Sequence, residues 1–333
     1  MNSREIIAGL EPIRTMADSD RQVTISVVIP LFNKEAAIEC TLRSVLRQTR
    51  PPDEVIIVDD GSSDASLAVV NQLLEAEPTQ IPVRIIPQAN QGVAAARNRG
   101  ANEAQSNYIA FLDADDEWLP DCAAEFERLA QTFPESGVLT VLFAKNGPAG
   151  PVPFPTPLPQ GFFGELQHPL RIYRKAYGLI QSSNVALRED VWRKFGGFPV
   201  GAQSGEDITA WLTLMLTERF AHSGRPLSVW HDEHSGATAR RESVPHHFTH
   251  FLADTKGRKY LANADLAKFL ASNLAVHIGG YRLAGAPAAV SELRRLSNGL
   301  PLHLRMAPII ASVTPRWALQ LVRRWRSRGM RRE

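Results

Sequence analysis

The sequence is poor in cysteine. Cys40 and Cys122 are the two among 333 residues, and both fall in segments with helical spacing. A disulfide framework and a thiolate metal centre are therefore excluded, and a reducing compartment is the natural expectation. No apolar run approaches the ~20 residues needed to cross a bilayer. Residues 1–22 mix charges with short apolar pairs and carry no continuous apolar stretch of the kind a secretory leader needs. No Gly-x-Gly-x-x-Gly follows the first apolar strand and no Walker loop occurs, which removes Rossmann dehydrogenases and P-loop enzymes. Internal repeats are absent. The arginine clusters lack the interleaved aromatics of a nucleic-acid module, so no nucleic-acid partner is expected.

What the chain does have is an uneven distribution of charge. From Gln22 to Glu135 it carries 8 Lys/Arg against 18 Asp/Glu, whereas Pro301 to Glu333 carries 8 Arg against one Glu, although the net charge is only +2. An acidic front half that binds an anionic ligand needs a bridging cation. A basic tail suits an anionic surface.

The first half alternates strand and helix. Val23 to Ile29 reads as a buried strand ended by Pro30, and Glu35 to Arg47 as a helix with Ile38, Leu42, Val45 and Leu46 on its apolar face. Glu54 to Val58 is a second strand, Asp64 caps a helix through Leu74, and Val83 to Ile86 is a third strand. A third helix spans Gly92 to Ala104, and a fourth strand spans Tyr108 to Leu112. Such alternation implies a mostly parallel sheet, whose ligands sit beyond the carboxyl ends of the strands. Asp59, Asp60 and Asp64 follow one strand end, and Asp113, Asp115 and Asp116 follow another. Carboxylates crowded on one rim repel unless a cation compensates them.

Four segments together resemble family 2 glycosyltransferases of the GT-A fold. They are Val28-Ile-Pro-Leu-Phe-Asn33, Val58-Asp-Asp-Gly-Ser-Ser-Asp64, Asn90-Gln-Gly with Ala96-Arg-Asn98, and Phe111-Leu-Asp-Ala-Asp-Asp116. The likeness runs from Val23 to Trp118, resumes more weakly at Ser182 to Leu187, Phe195 to Pro199 and Gly205 to Asp207, and gives little beyond Ala239. It implies an α/β, GT-A type nucleotide-sugar-binding domain with a mostly parallel central sheet flanked by helices, plus a C-terminal helical appendage. The implied division is an N-terminal extension 1–22, a GT-A domain 23–240 with a nucleotide-binding half 23–135 and an acceptor half 136–240, and a helical region 241–333 ending in a basic tail.

The resemblance also implies roles. The donor base would lie over Phe32, bordered by Pro30 and Glu35. Asp60 would accept the imide N–H of uracil, so a UDP-sugar donor is preferred. Arg97 would donate to a base carbonyl or to phosphate, with a surface salt bridge on an Ala-rich helix as the alternative. Asp113 would serve ribose and metal, Asp115 the metal, and His234 would be a late metal ligand with His231 as its rival. The hard oxygen ligands suit Mg²⁺ or Mn²⁺. Asp207 would be the general base on the acceptor hydroxyl. One base with no nucleophile means inversion, as in inverting glycosidases.

The expected reaction is transfer of a sugar to a hydroxyl of a glycan or lipid-linked glycan, in the cytoplasm and peripheral on the inner face of the cell membrane through the tail. In the tail, Trp317 and Trp325 accompany the arginines. Two other classes compete: a nucleotidyltransferase making a nucleotide sugar, and a non-catalytic membrane-associated adaptor on a transferase scaffold. The first should carry a Gly/Lys/Arg-rich loop after the first strand, where Pro30 to Glu35 has one lysine. The second is disfavoured by the presence of Asp60, Asp113, Asp115 and Asp207 together. Six prolines between Asn146 and Gln160 read as an extended linker or flap, and from Pro245 onward helical patterns continue over Phe248 to Leu261 and Leu266 to Ala275.

Overall fold

A computed structural model describes residues 22–147, 150–175, 177–231 and 243–315. Its centre is one sheet of ten strands. These are β1 Ile25–Leu31, β2 Glu54–Asp59, β3 Val83–Pro87, β4 Tyr108–Phe111, β5 Asp116–Trp118, β6 Val138–Lys145, β7 Val152–Pro153, β8 Phe163–Glu165, β9 Val185–Arg188 and β10 Phe220–Trp230. The main path runs β3-β2-β1-β4-β9-β6-β10-β5, with β7 on β6 and β8 on β10.

The first four strands, in the order β3-β2-β1-β4, are parallel throughout. Every residue of β1, β2 and β4 is buried, as expected of strands covered on both faces. Alternate side chains feed two cores. Val28, Ile109 and Phe111 point into a core shared with Trp211 and the C-terminal helices. Ile29, Leu31, Ala110 and Leu112 point into the other, against helices Ile38–Leu46 and Cys122–Thr132. β9 joins β4 antiparallel, Ala110 opposite Ala186, so its first residues arrive beside the carboxyl end of β4.

Pro30 does not end the first strand, which continues to Leu31. Ile25 and Leu31 accept from β2-side donors (Asp53 N and Asp60 N), while Val28 accepts from Leu112 N on the β4 side. Alternation puts Pro30 with Val28, and pairing to β4 stops at Val28 and Phe111. The N–H that proline lacks would have made the next rung to β4, so pairing stops there on that side, while pairing to β2 continues through Leu31 opposite Asp59.

The C-terminal helices share a core with helix Glu206–Thr217. Leu266, Phe269, Leu270, Leu274 and Ile278 from helix Ala264–Ala284 pack with Trp211 and Phe248. The Asn263 side chain caps that helix by accepting from Asp265 N and Leu266 N at 3.0 Å, and Gly285 closes it at φ 78°. It runs nine residues past the end expected at Ala275. The helix expected over Phe248 to Leu261 is instead three pieces, His246–Leu252, Thr255–Arg258 and a 3₁₀ turn Lys259–Ala262. The break falls at Asp254, whose carboxylate accepts from Lys256 N at 3.0 Å and starts a new cap. Among the described residues no helix is long and apolar enough to cross a membrane.

Candidate active site

The strand order reverses at β1, so the crevice opens beyond the carboxyl ends of β1 and β4. The loops after β1 and β2 are sewn together there. Asn33 sits in the left-handed region at φ 51°, its N–H donates to Ser62 Oγ at 3.1 Å, and its Oδ1 accepts from Ser63 N at 2.8 Å. Just before it, Phe32 is 45% exposed, a flat aromatic face open at the rim. Glu35 is used structurally. Its Oε2 accepts from Ala65 N at 2.8 Å, while its own N–H donates to Asp64 Oδ2 at 3.0 Å.

Asp60 is buried and accepts three hydrogen bonds, from Gln88 Nε2 and Gln91 N on Oδ1 and from Gly92 N on Oδ2, each at 2.8 Å. A carboxylate has about four acceptor sites, so one remains for a ligand. Asp60 is thus a clamp on the loop before helix Val93–Glu103 as well as a candidate base reader.

Helix Val93–Glu103 lies tight on the sheet, because a Cβ at Gly100 would sit 2.4 Å from Val28 Cγ1. That closeness carries Arg97 inward. It is 4% exposed, and its Nη2 donates to Asp113 Oδ1 at 2.5 Å. The alternative of a surface salt bridge is therefore set aside. Nη1 lies 3.9 Å from Glu206 Oε1, the guanidinium stands 5.4 Å from the Phe198 ring centroid, and Nε and Nη1 have no hydrogen-bond partner. Burial opposes the charge of Arg97, but Asp113, Glu206 and Asp207 outweigh it and raise its pKa. Arg97 is thus a buried cation whose Nε and Nη1 donors are unpaired in the interior.

Asp115 pairs with Lys34 Nζ at 2.5 Å. Burial raises its pKa, with the charge of Asp113 adding to the effect and Lys34 opposing it. Asp116 is deeper. Its Oδ2 accepts from the Ser183 hydroxyl, and its Oδ1 is buried without a partner. Burial, then the neighbouring charge of Asp113, holds its pKa well above the carboxylate range. Ser183 also accepts from Asp113 N at 3.1 Å, and its carbonyl accepts from Trp118 Nε1 and Ser228 Oγ, each at 2.7 Å. It reaches the site because β9 begins there.

Across the crevice, Gly205 at φ 75° opens helix Glu206–Thr217. Asp207 is half-buried and accepts from Ile208 N at 2.7 Å. Burial, then the charge of Glu206, pushes its pKa up to about 6, with Arg97 pulling the other way. Two further contacts hold this turn. Thr209 Oγ1 donates to Gly205 O at 2.7 Å and lies 3.0 Å from His246 Nδ1. A Cβ on Gly205 would meet His247 Nδ1 at 2.8 Å. The two halves are also bracketed by Asn98, whose side chain donates to Phe198 O and accepts from Phe198 N, both at 2.8 Å.

His231 faces Glu117 Oε2 at 3.2 Å and Asn146 Nδ2 at 3.3 Å. His234 lies outside the described residues. Among the described residues no three His, Cys, Asp or Glu side chains group as a metal site. The Asp113 and Asp115 carboxylates nevertheless fit a hard cation in chemistry, since each already holds a positive group at 2.5 Å.

The residues that sequence reasoning left without a role are Lys34, Gln88, Ser183, Phe198 and Glu206. Lys34 is the one lysine of its loop, and its signal is a single cation among acidic strand ends. The others depend on contacts that no local pattern encodes.

A family model described as "Glycosyl transferase family 2" matches residues 26–192, half of the chain. The chain belongs to glycosyl transferase family 2. Among relatives of this family 2 chain, an uncharacterized glycosyltransferase of Nostoc sp. is 42% identical over 118 residues, 35% of each chain. The putative teichuronic acid biosynthesis glycosyltransferase TuaG of Bacillus subtilis is 42% identical over 97 residues, 29% of this chain and 38% of TuaG. The chain thus matches little more than a third of the length of these relatives. The crystal structure of S. aureus TarS 1–349 in complex with UDP-GlcNAc superposes with a TM-score of 0.67, covering 90% of this chain and 92% of that one at 19% identity. The GT-A type fold expected from the sequence is the fold observed.

Proposed function

We propose that this chain transfers a sugar, with inversion, from a UDP-sugar to a hydroxyl of a glycan or lipid-linked glycan, with Asp207 as general base. The carrying observation is that one buried guanidinium, Arg97, links Asp113 on the donor side to Glu206 and Asp207 opposite. A carboxylate with a pKa near 6 is a competent base at neutral pH, ionised yet still basic. Phe32 stacks the base, with Pro30 and Glu35 beside it; the free acceptor site of Asp60 takes the uracil imide, and Arg97 takes phosphate. UDP-GlcNAc in the TarS complex supports a UDP-sugar donor, and the likeness to TuaG, a putative teichuronic acid biosynthesis glycosyltransferase, supports a glycan acceptor.

Asp113 and Asp115, with His234 or His231, would hold Mg²⁺ or Mn²⁺, which neutralises the diphosphate of the departing nucleotide. The division at 135 and 240 into donor half, acceptor half and helical region belongs to the same reading. So does peripheral attachment to the inner face of the cell membrane. Helix Met306–Val313 exposes Met306, Ile309, Ile310 and Val313 immediately before the Arg-rich tail, which itself lies outside the described residues.

The test is a screen of nucleotide sugars for slow hydrolysis with Mn²⁺ or EDTA, followed by product analysis. UDP-sugars should be cleaved in a metal-dependent way, Asp115→Ala should abolish that cleavage in a folded protein, and NMR of the transfer product should show inverted anomeric configuration. A retained configuration, or full EDTA-sensitive activity in Asp115→Ala, overturns the reading. Attachment is read by co-sedimentation with anionic vesicles, where a chain ending at Pro315 should bind less than the full chain.

A further inference from the structure

The two aspartates proposed for donor and metal are both occupied by the protein's own cations, and the two cations differ in freedom. Arg97 is sealed between Asp113, Glu206 and Phe198 and is 4% exposed. Lys34 is 23% exposed and its partner Asp115 is 13% exposed, so this pair stands at the mouth of the crevice. The backbone under Lys34 is fixed. Its N–H donates to Ser66 Oγ at 2.8 Å, and its carbonyl accepts from Ala37 N at 3.0 Å and Ile38 N at 2.9 Å. The anchor is rigid, while the four-carbon stem of a lysine keeps several rotamers.

We propose that Lys34 is an exchangeable cation: it neutralises Asp115 in the donor-free protein, yields that carboxylate to the divalent ion, and turns its ammonium to the donor diphosphate. This rests on the metal and donor reading given above. The reason is electrostatic. An ammonium 2.5 Å from Asp115 and a divalent ion on the same carboxylate would repel strongly, so they compete for it. Once displaced, the ammonium needs an anion in reach, and a diphosphate entering with the ion supplies one. Without nucleotide, the ion must break the Lys34–Asp115 pair with no new anion brought in to offset that loss, and it binds weakly. With nucleotide, the expelled lysine gains a partner and the ion binds tightly. The same lysine thereby couples the two ligands, and coupling of this kind is reciprocal.

Calorimetric titration of the full chain with Mn²⁺, with and without UDP, tests this without reference to turnover. The wild type should bind Mn²⁺ weakly alone and at least about tenfold more tightly with UDP. Lys34→Met should bind Mn²⁺ alone about tenfold more tightly than wild type and lose most of the tightening by UDP, a change of the size a single ion pair of partly buried groups supplies. Lys34→Arg, which keeps the charge, should resemble wild type in Mn²⁺ alone and guards against a mere loss of folding. Equal Mn²⁺ affinity of wild type and Lys34→Met without UDP, or undiminished coupling in Lys34→Met, overturns the role of Lys34 and leaves the metal reading standing. Absence of Mn²⁺ binding by wild type, with and without UDP, overturns both.

Discussion

The proposed donor side and the proposed base side of the crevice are built on opposite principles. On the donor side, Asp60 has three N–H donors at 2.8 Å, and Asn33, Ser62 and Ser63 tie two loops into one surface. On the base side, Asp207 has one backbone donor and sits beside Glu206, in a turn opened by a left-handed glycine. The first carboxylate is satisfied and holds structure; the second is short of partners and holds a proton more readily than a free aspartate. Satisfaction makes a platform, and deprivation suits a carboxylate to the proposed role of base.

The sharpest way to break the contrast is turnover. Asp207→Asn keeps size but cannot take a proton, so kcat should fall about 10²–10⁴-fold with donor affinity nearly unchanged. Loss of UDP binding in calorimetry would move Asp207 to the donor side.

The same substitution at both carboxylates should have stability effects of opposite sign. Asp60→Asn sets an amide NH₂ against N–H donors and should cost about 1–3 kcal/mol. Asp207 has a folded pKa of about 6, above its unfolded value, so its ionised form costs stability at pH 7 and its protonated form does not. Asp207→Asn should therefore stabilise the fold by on the order of 2 kcal/mol at pH 7, and the gain should fade as pH drops from about 6 towards 4. Urea unfolding at pH 7 and pH 4.5 reads both signs.

Arg97 lowers the pKa of Asp207 and pairs with Asp113. Arg97→Met should shift the acid limb of the kcat profile to higher pH, since the base loses its nearest cation. A limb that stays in place between pH 5 and 9 would disconnect the two sides.

The smallest effect is expected at Gly205. An alanine there must hold φ near 75° and meet His247, so Gly205→Ala should cost about 1–2 kcal/mol in thermal unfolding and lower kcat more than it changes donor KM.

Much of this was legible in the sequence, for physical reasons. Buried β-branched runs alternating with 3.6-residue periodicity gave the parallel half, and parallel sheets put their carboxyl ends on one rim, which located Asp60, Asp113 and Asp115 together. Long-range pairing was not legible. Lys34 meets Asp115 across 81 residues, and Asn98 meets Phe198 across 100. The burial of Arg97 depends on Gly100 touching Val28, a contact invisible in an Ala-rich helix. Pro30 misled because a missing N–H ends pairing on one side of a strand only and leaves the other side to continue, and the break at Asp254 because a periodic apolar stripe can outlast the helix that carries it.

The bracket between Asn98 and Phe198 has a consequence for engineering. It is a peptide-like pairing made by a side chain, with one donor and one acceptor on each partner, and Gly197 leaves no room for a Cβ beside it. Any chimera that grafts a foreign acceptor half onto this donor half inherits that socket. Chimeras cut between 98 and 197 that preserve the amide and its glycine should keep the two halves in register, whereas cuts that lose either should yield folded donor halves unable to hand a sugar across.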